Sequence, residues 1–224
     1  MNELGQSILL CLSQVAFERS RRAADESLAQ RVSEVKRYQH ARFATTYADL
    51  LADRATAGAA RFFLDDLYGP KDFSERDAQF ARVVPGLVRV FPTALCETVL
   101  SLARLHALSE RLDSEMGLAI DGPGMEGPSY GRAWRTVGRA DERETQIALM
   151  LEVGTALERH RRKPLLRQSL RLMRKPAIAA GLGALQAFLE NGFDTFRALR
   201  DAQSFLSTIA TRERALALRL FDEL

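Results

Sequence analysis

Apolar residues spaced at the helical period, few alternating β-type runs, and glycines and prolines gathered between the periodic segments predict an all-α fold. The expected architecture is a single compact multi-helix bundle of about eight to ten helices, one domain over residues 1–224. With 46% hydrophobic residues, the chain has material for a core that needs no disulfide or metal.

The elements follow in order. A first helix is expected over Asn2 to about Arg19, and a longer one over Asp25 to Ala52. In the second, Leu28, Val32, Val35, Gln39, Phe43, Tyr47 and Leu50 recur at steps of three and four and share one face. Gln39 is the polar member of that seam and requires a hydrogen-bond partner if buried. A short helix, Thr56 to Tyr68, ends at Gly69-Pro70, where glycine permits a left-handed cap and proline prevents continuation. Ser74, with Asp77 three residues on, reads as a capping-box variant opening a helix through Val84, which Pro85-Gly86 kinks or ends. Pro92 suits the first turn of a helix to about Met116.

Gly117 to Gly131 holds seven Gly or Pro among 15 residues. It reads as a loop draped over the body, and 117–131 is the only candidate internal boundary. Asp141 and Glu144 read as another cap pair, for a helix to about His160 burying Ile147, Met150, Leu151 and Leu157. Pro164 is expected to start a helix to Arg174, and Pro176 one to Leu189 or beyond, with Asn191-Gly192 a point of interruption. The last helix, about Asp201 to Phe221, turns Phe205, Ile209, Leu216 and Leu220 inward.

Basic residues outnumber acids 32 to 29, for a net charge of +3. That surplus, with a pI of 9.1, is too weak to mark a polyanion binder. Cys11 and Cys96 are 85 residues apart, outside any CxxC spacing, which points to a reducing compartment. No basic stretch precedes the apolar patch at Ile8 to Leu12, and no apolar run approaches the ~20 residues a bilayer requires. A cytoplasmic protein with no transmembrane segment is expected.

Chemistry is sparse. There is no GxxxxGK[ST]. Gly181-Leu182-Gly183 lies in an Ala-rich helical pattern and reads as small residues that let two helices approach closely. His106, Glu110 and Asp113 share a helix face and are weak candidates for a metal, while His106 borders the apolar stripe as a haem ligand would. The plainer reading is a boundary histidine beside a solvated acidic stripe, and no cofactor is expected. Ser7, Ser101 and Ser129 lack a partner in motif spacing, so no catalytic residue is nominated.

From Arg159 to Lys175 there are eight Lys or Arg and no acid. Lys163, Arg167, Arg171 and Arg174 recur at helical spacing opposite Leu166, Ser169, Leu170 and Met173, and with Arg162 and Lys175 they make a basic face. It could meet a polyanion, an anionic membrane surface or an acidic protein. The plainer reading is a solvated face neutralised by Asp65, Asp66 or Glu190. The stretch has no aromatic residue for base stacking, which counts against single-stranded nucleic acid.

In the segment Arg61 to Pro70, Asp65 and Asp66 occupy the last turn of a helix. There the macrodipole disfavours negative charge by about 0.3–1 kcal/mol each. A basic partner is expected, most simply an arginine from a neighbouring helix. Phe62, Phe63, Leu64 and Leu67 cover too much of the circumference for a surface helix, so the segment should be wedged between others. The acidic motif of interest is Asp65, Asp66 and Tyr68.

This stretch, RFFLDDLYGPKDFSERDAQFARVVPGLVRVFP, resembles the bacterial FFLEELY-motif proteins, a proteobacterial family. The likeness extends through LHALSERLD at Leu105 to Asp113 and GFDTFRALRDAQSFL at Gly192 to Leu206. Asp65-Asp66 replaces the family's Glu-Glu, keeping the charge and shortening the reach. The resemblance implies no activity. The expected function is a non-catalytic cytosolic binding or scaffold protein, meeting another protein or a second copy of itself. Metal or haem binding through His106 is one alternative, and nucleic-acid or anionic-surface binding through 159–175 is another.

Overall fold

Two side chains open the fold. Asn2 accepts from the Gly5 N–H at 3.0 Å and Asp25 from the Leu28 N–H at 3.0 Å, each satisfying a donor that a helix start leaves orphaned. They cap α1 (Glu3–Ala23) and α2 (Glu26–Thr46) in a computed structural model that describes residues 2–67, 69, 73–122, 124–161 and 164–222. Further along lie α3 (Ala48–Ala52), α4 (Ala57–Phe62), a π-helical turn (Phe63–Leu67), α5 (Ser74–Val90) and α6 (Thr93–Ala119). The chain continues with α7 (Gly127–Val137), α8 (Ala140–Arg161), α9 (Pro164–Ala179), α10 (Gly183–Ala198) and α11 (Ala202–Asp222). The fold is all-α, with eleven α-helices among the described residues, slightly more than expected. Among those residues no helix is long and apolar enough to cross a membrane.

The 27-residue α6 is the axis, packing against α1, α2, α5, α7 and α8. Three apolar clusters surround it. Ile8, Val15 and Val84 join α1 and α5 to α6. Val35, Met116, Trp134 and Leu220 join α2 and α7 to α11. The largest holds Tyr47, Phe63, Phe196, Phe205 and Ile209, each at most 2% exposed. The wedge expected at Arg61 to Pro70 is therefore present through Phe62, Phe63 and Leu64, all buried.

Several boundaries differ from expectation, each for a local reason. The Asp25–Ala52 helix breaks at Tyr47, where φ −113° and ψ 25° leave the helical region. Its hydroxyl donates to Glu213 at 2.7 Å, tying this fully buried residue to α11. Pro85 and Pro176 sit inside α5 and α9 instead of ending or starting them. Both are exposed, so water can take the carbonyl whose helical partner each proline removes.

The loop expected over 117–131 is short: α6 runs to Ala119, α7 begins at Gly127, and Ile120 and Tyr130 are buried. Asn191-Gly192 does not interrupt α10; a Cβ at Gly192 would lie 2.9 Å from the Phe62 ring, so glycine lets α4 and α10 close together. Gly181, by contrast, is not a helix contact. At φ +69° it ends α9, with Gly181 N–H bonded to Ile178 O at 3.0 Å and Leu182 N–H to Ala177 O at 2.8 Å, a Schellman cap.

Neither expected cap pair forms. The N-cap of α5 is Phe73, so Ser74 is already helical and Asp77 is free for tertiary pairing. Asp141 lies inside the first turn of α8, and Glu144 pairs instead with Arg214 of α11.

Candidate functional site

Charge enters the interior along one line. In α1, Glu18 and Arg22 continue the stripe set by Ile8, Cys11 and Val15 and are 6% and 8% exposed. From α6, at successive turns on one face, come His106, Glu110 and Asp113, and from α5 comes Asp77.

Asp77 is the hub of one half. It accepts from His106 Nε2 at 2.7 Å, Arg19 Nη2 at 2.8 Å and Arg76 Nε at 3.2 Å. Glu110 is the hub of the other, accepting from Lys36 Nζ at 2.8 Å and from Arg22, with Arg19 at 3.6 Å bridging the halves. Arg22 also donates to Ser114 Oγ at 3.0 Å. Asp113 accepts from Gln39 Nε2 at 3.1 Å, which supplies the partner that Gln39 required.

These surroundings set the protonation states. Burial pushes the Asp77 carboxyl up, but the hydrogen bond and charge of His106, with Arg76 and Arg19, outweigh it and hold it at about 2. Burial likewise opposes Lys36 and Arg22 at Glu110, and the cations prevail, again at about 2. At Asp113 burial prevails and the pKa rises.

His106, Glu110 and Asp113 thus do share a face, on which His106 is half-buried, whereas the two acids are buried instead of solvated. Among the described residues no group of three or more His, Cys, Asp or Glu is placed to hold a metal ion.

Against this network lies a cavity of about 530 Å³ between α5, α6, α9 and α10. Its walls are apolar side chains such as Phe80, Leu102, Leu105, Met173, Leu185 and Phe188, and Arg76, Asp77 and His106 enter the lining together. The Arg76 guanidinium lies 4.1 Å from the centre of the Phe73 ring and 4.6 Å from that of Phe188, and donates to the Asp66 carbonyl at 3.0 Å. Two residues of α5 hold the far wall. Arg82 donates to the carbonyls of Ala180 and Gly181 at 3.1 and 2.9 Å, and Gln79 accepts from the Leu185 N–H at 2.9 Å. Gln186 completes the wall by donating to the Leu170 carbonyl at 2.7 Å.

The acidic pair is elsewhere. Asp65 faces His40 at 3.4 Å and Asp66 accepts from Asn191 at 2.5 Å, so among the described residues neither carboxylate meets the arginine expected of it. Arg76 takes the backbone of the motif instead. Tyr68 lies outside the described residues.

The basic segment is divided between two helices, because α8 ends at Arg161 and α9 starts at Pro164; Arg162 and Lys163 lie outside the described residues. Arg167 pairs with Asp194 at 2.8 Å and Arg174 with Glu190 at 2.6 Å, while Arg171 and Lys175 are exposed. Glu190 therefore neutralises as expected, whereas among the described residues Asp65 and Asp66 meet none of these cations. Beside these cations, Leu172, Met173 and Ile178 are 71%, 54% and 59% exposed.

Sequence reasoning missed Asp77, Arg19, Arg22 and Lys36. A legible signal existed for Arg22, since a charge falls on the apolar stripe of α1. None existed for the cavity, whose walls come from segments far apart in the chain. No curated protein and no solved structure matches the chain. Residues 18–224 match the family described as a domain of unknown function, DUF8198, and the chain belongs to that family.

Proposed function

We propose that the protein is a cytoplasmic binding protein for an apolar small molecule with one hydrogen-bonding end, held in the cavity between α5, α6, α9 and α10. The observation that carries this reading is the cavity itself. At about 530 Å³, apolar-walled and with a few grouped polar side chains, it has the size and make-up of small-molecule sites. Arg76, Asp77 and His106 would fix the ligand's polar end, and the walls would take its body. The polar groups are engaged with one another, which favours binding over catalysis. With Nε2 of His106 held by Asp77, metal or haem ligation would fall to its Nδ1. Cys11 and Cys96, both free and buried, fit a reducing cytoplasm. The likeness to the FFLEELY-motif proteins fits membership of a family to which no activity attaches.

Titration with a fluorescent fatty acid such as cis-parinaric acid tests the proposal. Saturable binding is expected in the wild type, and Leu102→Trp, which fills the cavity, should weaken it about tenfold or more while the far-UV dichroism is unchanged. Equal binding by the filled variant would remove the cavity from consideration.

A further inference from the structure

A second, smaller cavity of about 70 Å³ lies farther along the same face of α6, lined by Gln39, Arg42, Tyr130, Trp134, Arg143 and Gln146 among others. Its chemistry is lopsided. Four buried N–H groups of its lining residues have no hydrogen-bond partner among the described residues: Nε and Nη2 of Arg143, Nε of Arg42 and Nε1 of Trp134. All four are donors, so what the cavity lacks is acceptors.

Arg143 is the extreme case. It is 2% exposed, its guanidinium lies 3.9 Å from the centre of the Trp134 ring, and its one hydrogen bond is a long one, 3.5 Å from Nη1 to Gln146. Two acids line the same cavity, but both are committed. Glu213 accepts from Arg42 and Tyr47, and Asp113 from Gln39, with Lys36 at 3.9 Å. The charges of Asp113, Glu115 and Glu142 favour the Arg143 cation, yet burial outweighs them and none of the three accepts from its guanidinium. A buried cation so poorly paired is costly, and the stacked ring offsets only about 2 kcal/mol of that.

The empty atoms are also a particular pair. Nε and Nη2 form the side edge of a guanidinium, which matches the two oxygens of a carboxylate. Elsewhere in this chain that edge is used in this way. Arg174 grips Glu190 through Nε at 3.0 Å and Nη2 at 2.6 Å, and Arg214 grips Glu144 through Nε at 3.0 Å and Nη2 at 2.5 Å. In Arg143 the same edge holds no carboxylate among the described residues.

We infer that this cavity is a binding site for a small planar oxyanion, a short carboxylate or bicarbonate, gripped by the Nε/Nη2 edge of Arg143 with Trp134 and Arg42 donating beside it. A volume of about 70 Å³ suits an anion of three or four heavy atoms. It is little more than two waters' share of liquid, about 30 Å³ each. The site is separate from the large cavity and does not depend on the function proposed for that one.

Trp134 is the only tryptophan in the chain, so its emission reports on the site directly. Purified protein is titrated separately with sodium formate, acetate and bicarbonate, each exchanged against sodium chloride at constant ionic strength. A saturable change in emission is expected with at least one, and comparison of the three identifies which anion the site prefers. Arg143→Lys keeps the charge but loses the fork, and should raise the midpoint about tenfold. Arg143→Met should abolish the response. An emission change that is linear for every anion, or equally saturable in Arg143→Met, overturns the inference. A crystal structure grown in the preferred anion reads out the wild type alone, in case the variants fold poorly. Density for the anion at the Arg143 edge supports the site, and water alone at that edge overturns it.

Discussion

Two buried polar regions lie one after the other along α6, and they balance their charges differently. Around Asp77 and Glu110 every carboxylate is met by cations contributed by α1, α2 and α5, and two of those carboxyls sit at about 2. Around Arg143 the donors outnumber the acceptors. Gln39 stands between the two, donating to Asp113 at 3.1 Å and to Tyr130 at 3.4 Å. The difference teaches what each region is for. A closed network specifies how helices register, whereas an open one leaves room for something not covalently part of the chain.

The largest effect should come from opening the closed network. Glu110→Ala takes the carboxylate from the buried Arg22 and the half-buried Lys36 and should cost about 3–5 kcal/mol, read as a lowered urea midpoint. Acid should open it more gently. Asp77 and Glu110 have folded values near 2, below ordinary carboxylates near 4, so the stability they contribute is full above about pH 4. It is lost as pH falls through 2, to the extent of about 2 kcal/mol each. Urea midpoints measured between pH 5 and pH 2 should show this slope, and Asp77→Asn should reduce it; an unchanged slope would show that Asp77 takes no part.

Gln39→Leu, which uncouples the two regions, should cost about 1–2 kcal/mol by leaving Asp113 without its donor, again read from the urea midpoint. The smallest effect is expected from Arg143→Met in anion-free buffer, within about 1 kcal/mol of wild type in either direction, because only the long bond to Gln146 is lost while a costly buried charge is removed. A loss there as large as that of Glu110→Ala would erase the contrast between the regions.

Much of the framework was legible in the chain. Leu28, Val32, Val35, Phe43 and Tyr47 share a face in the sequence and are all buried in the fold, because burial follows helical periodicity. Gln39 announced its need for a partner, though not the identity of Asp113. Asp77 was misread as a cap because cap spacing is a local rule, whereas its real partners, His106 and Arg19, come from two other helices. Glu144 was misread in the same way. The prolines at 85 and 176 were overvalued, since packing of the rest of each helix tolerates one missing bond on an exposed side.

By itself, then, the sequence determined the helical class, most inward faces, and the wedge at Phe62 to Leu64. These depend on spacing within a single segment. The tertiary structure alone decided which charges meet, where α5, α6, α9 and α10 leave a cavity, and that the Nε/Nη2 edge of the buried Arg143 holds no carboxylate among the described residues. Those properties belong to pairs of helices distant along the chain, and hydrophobic periodicity carries no information about which pairs will touch.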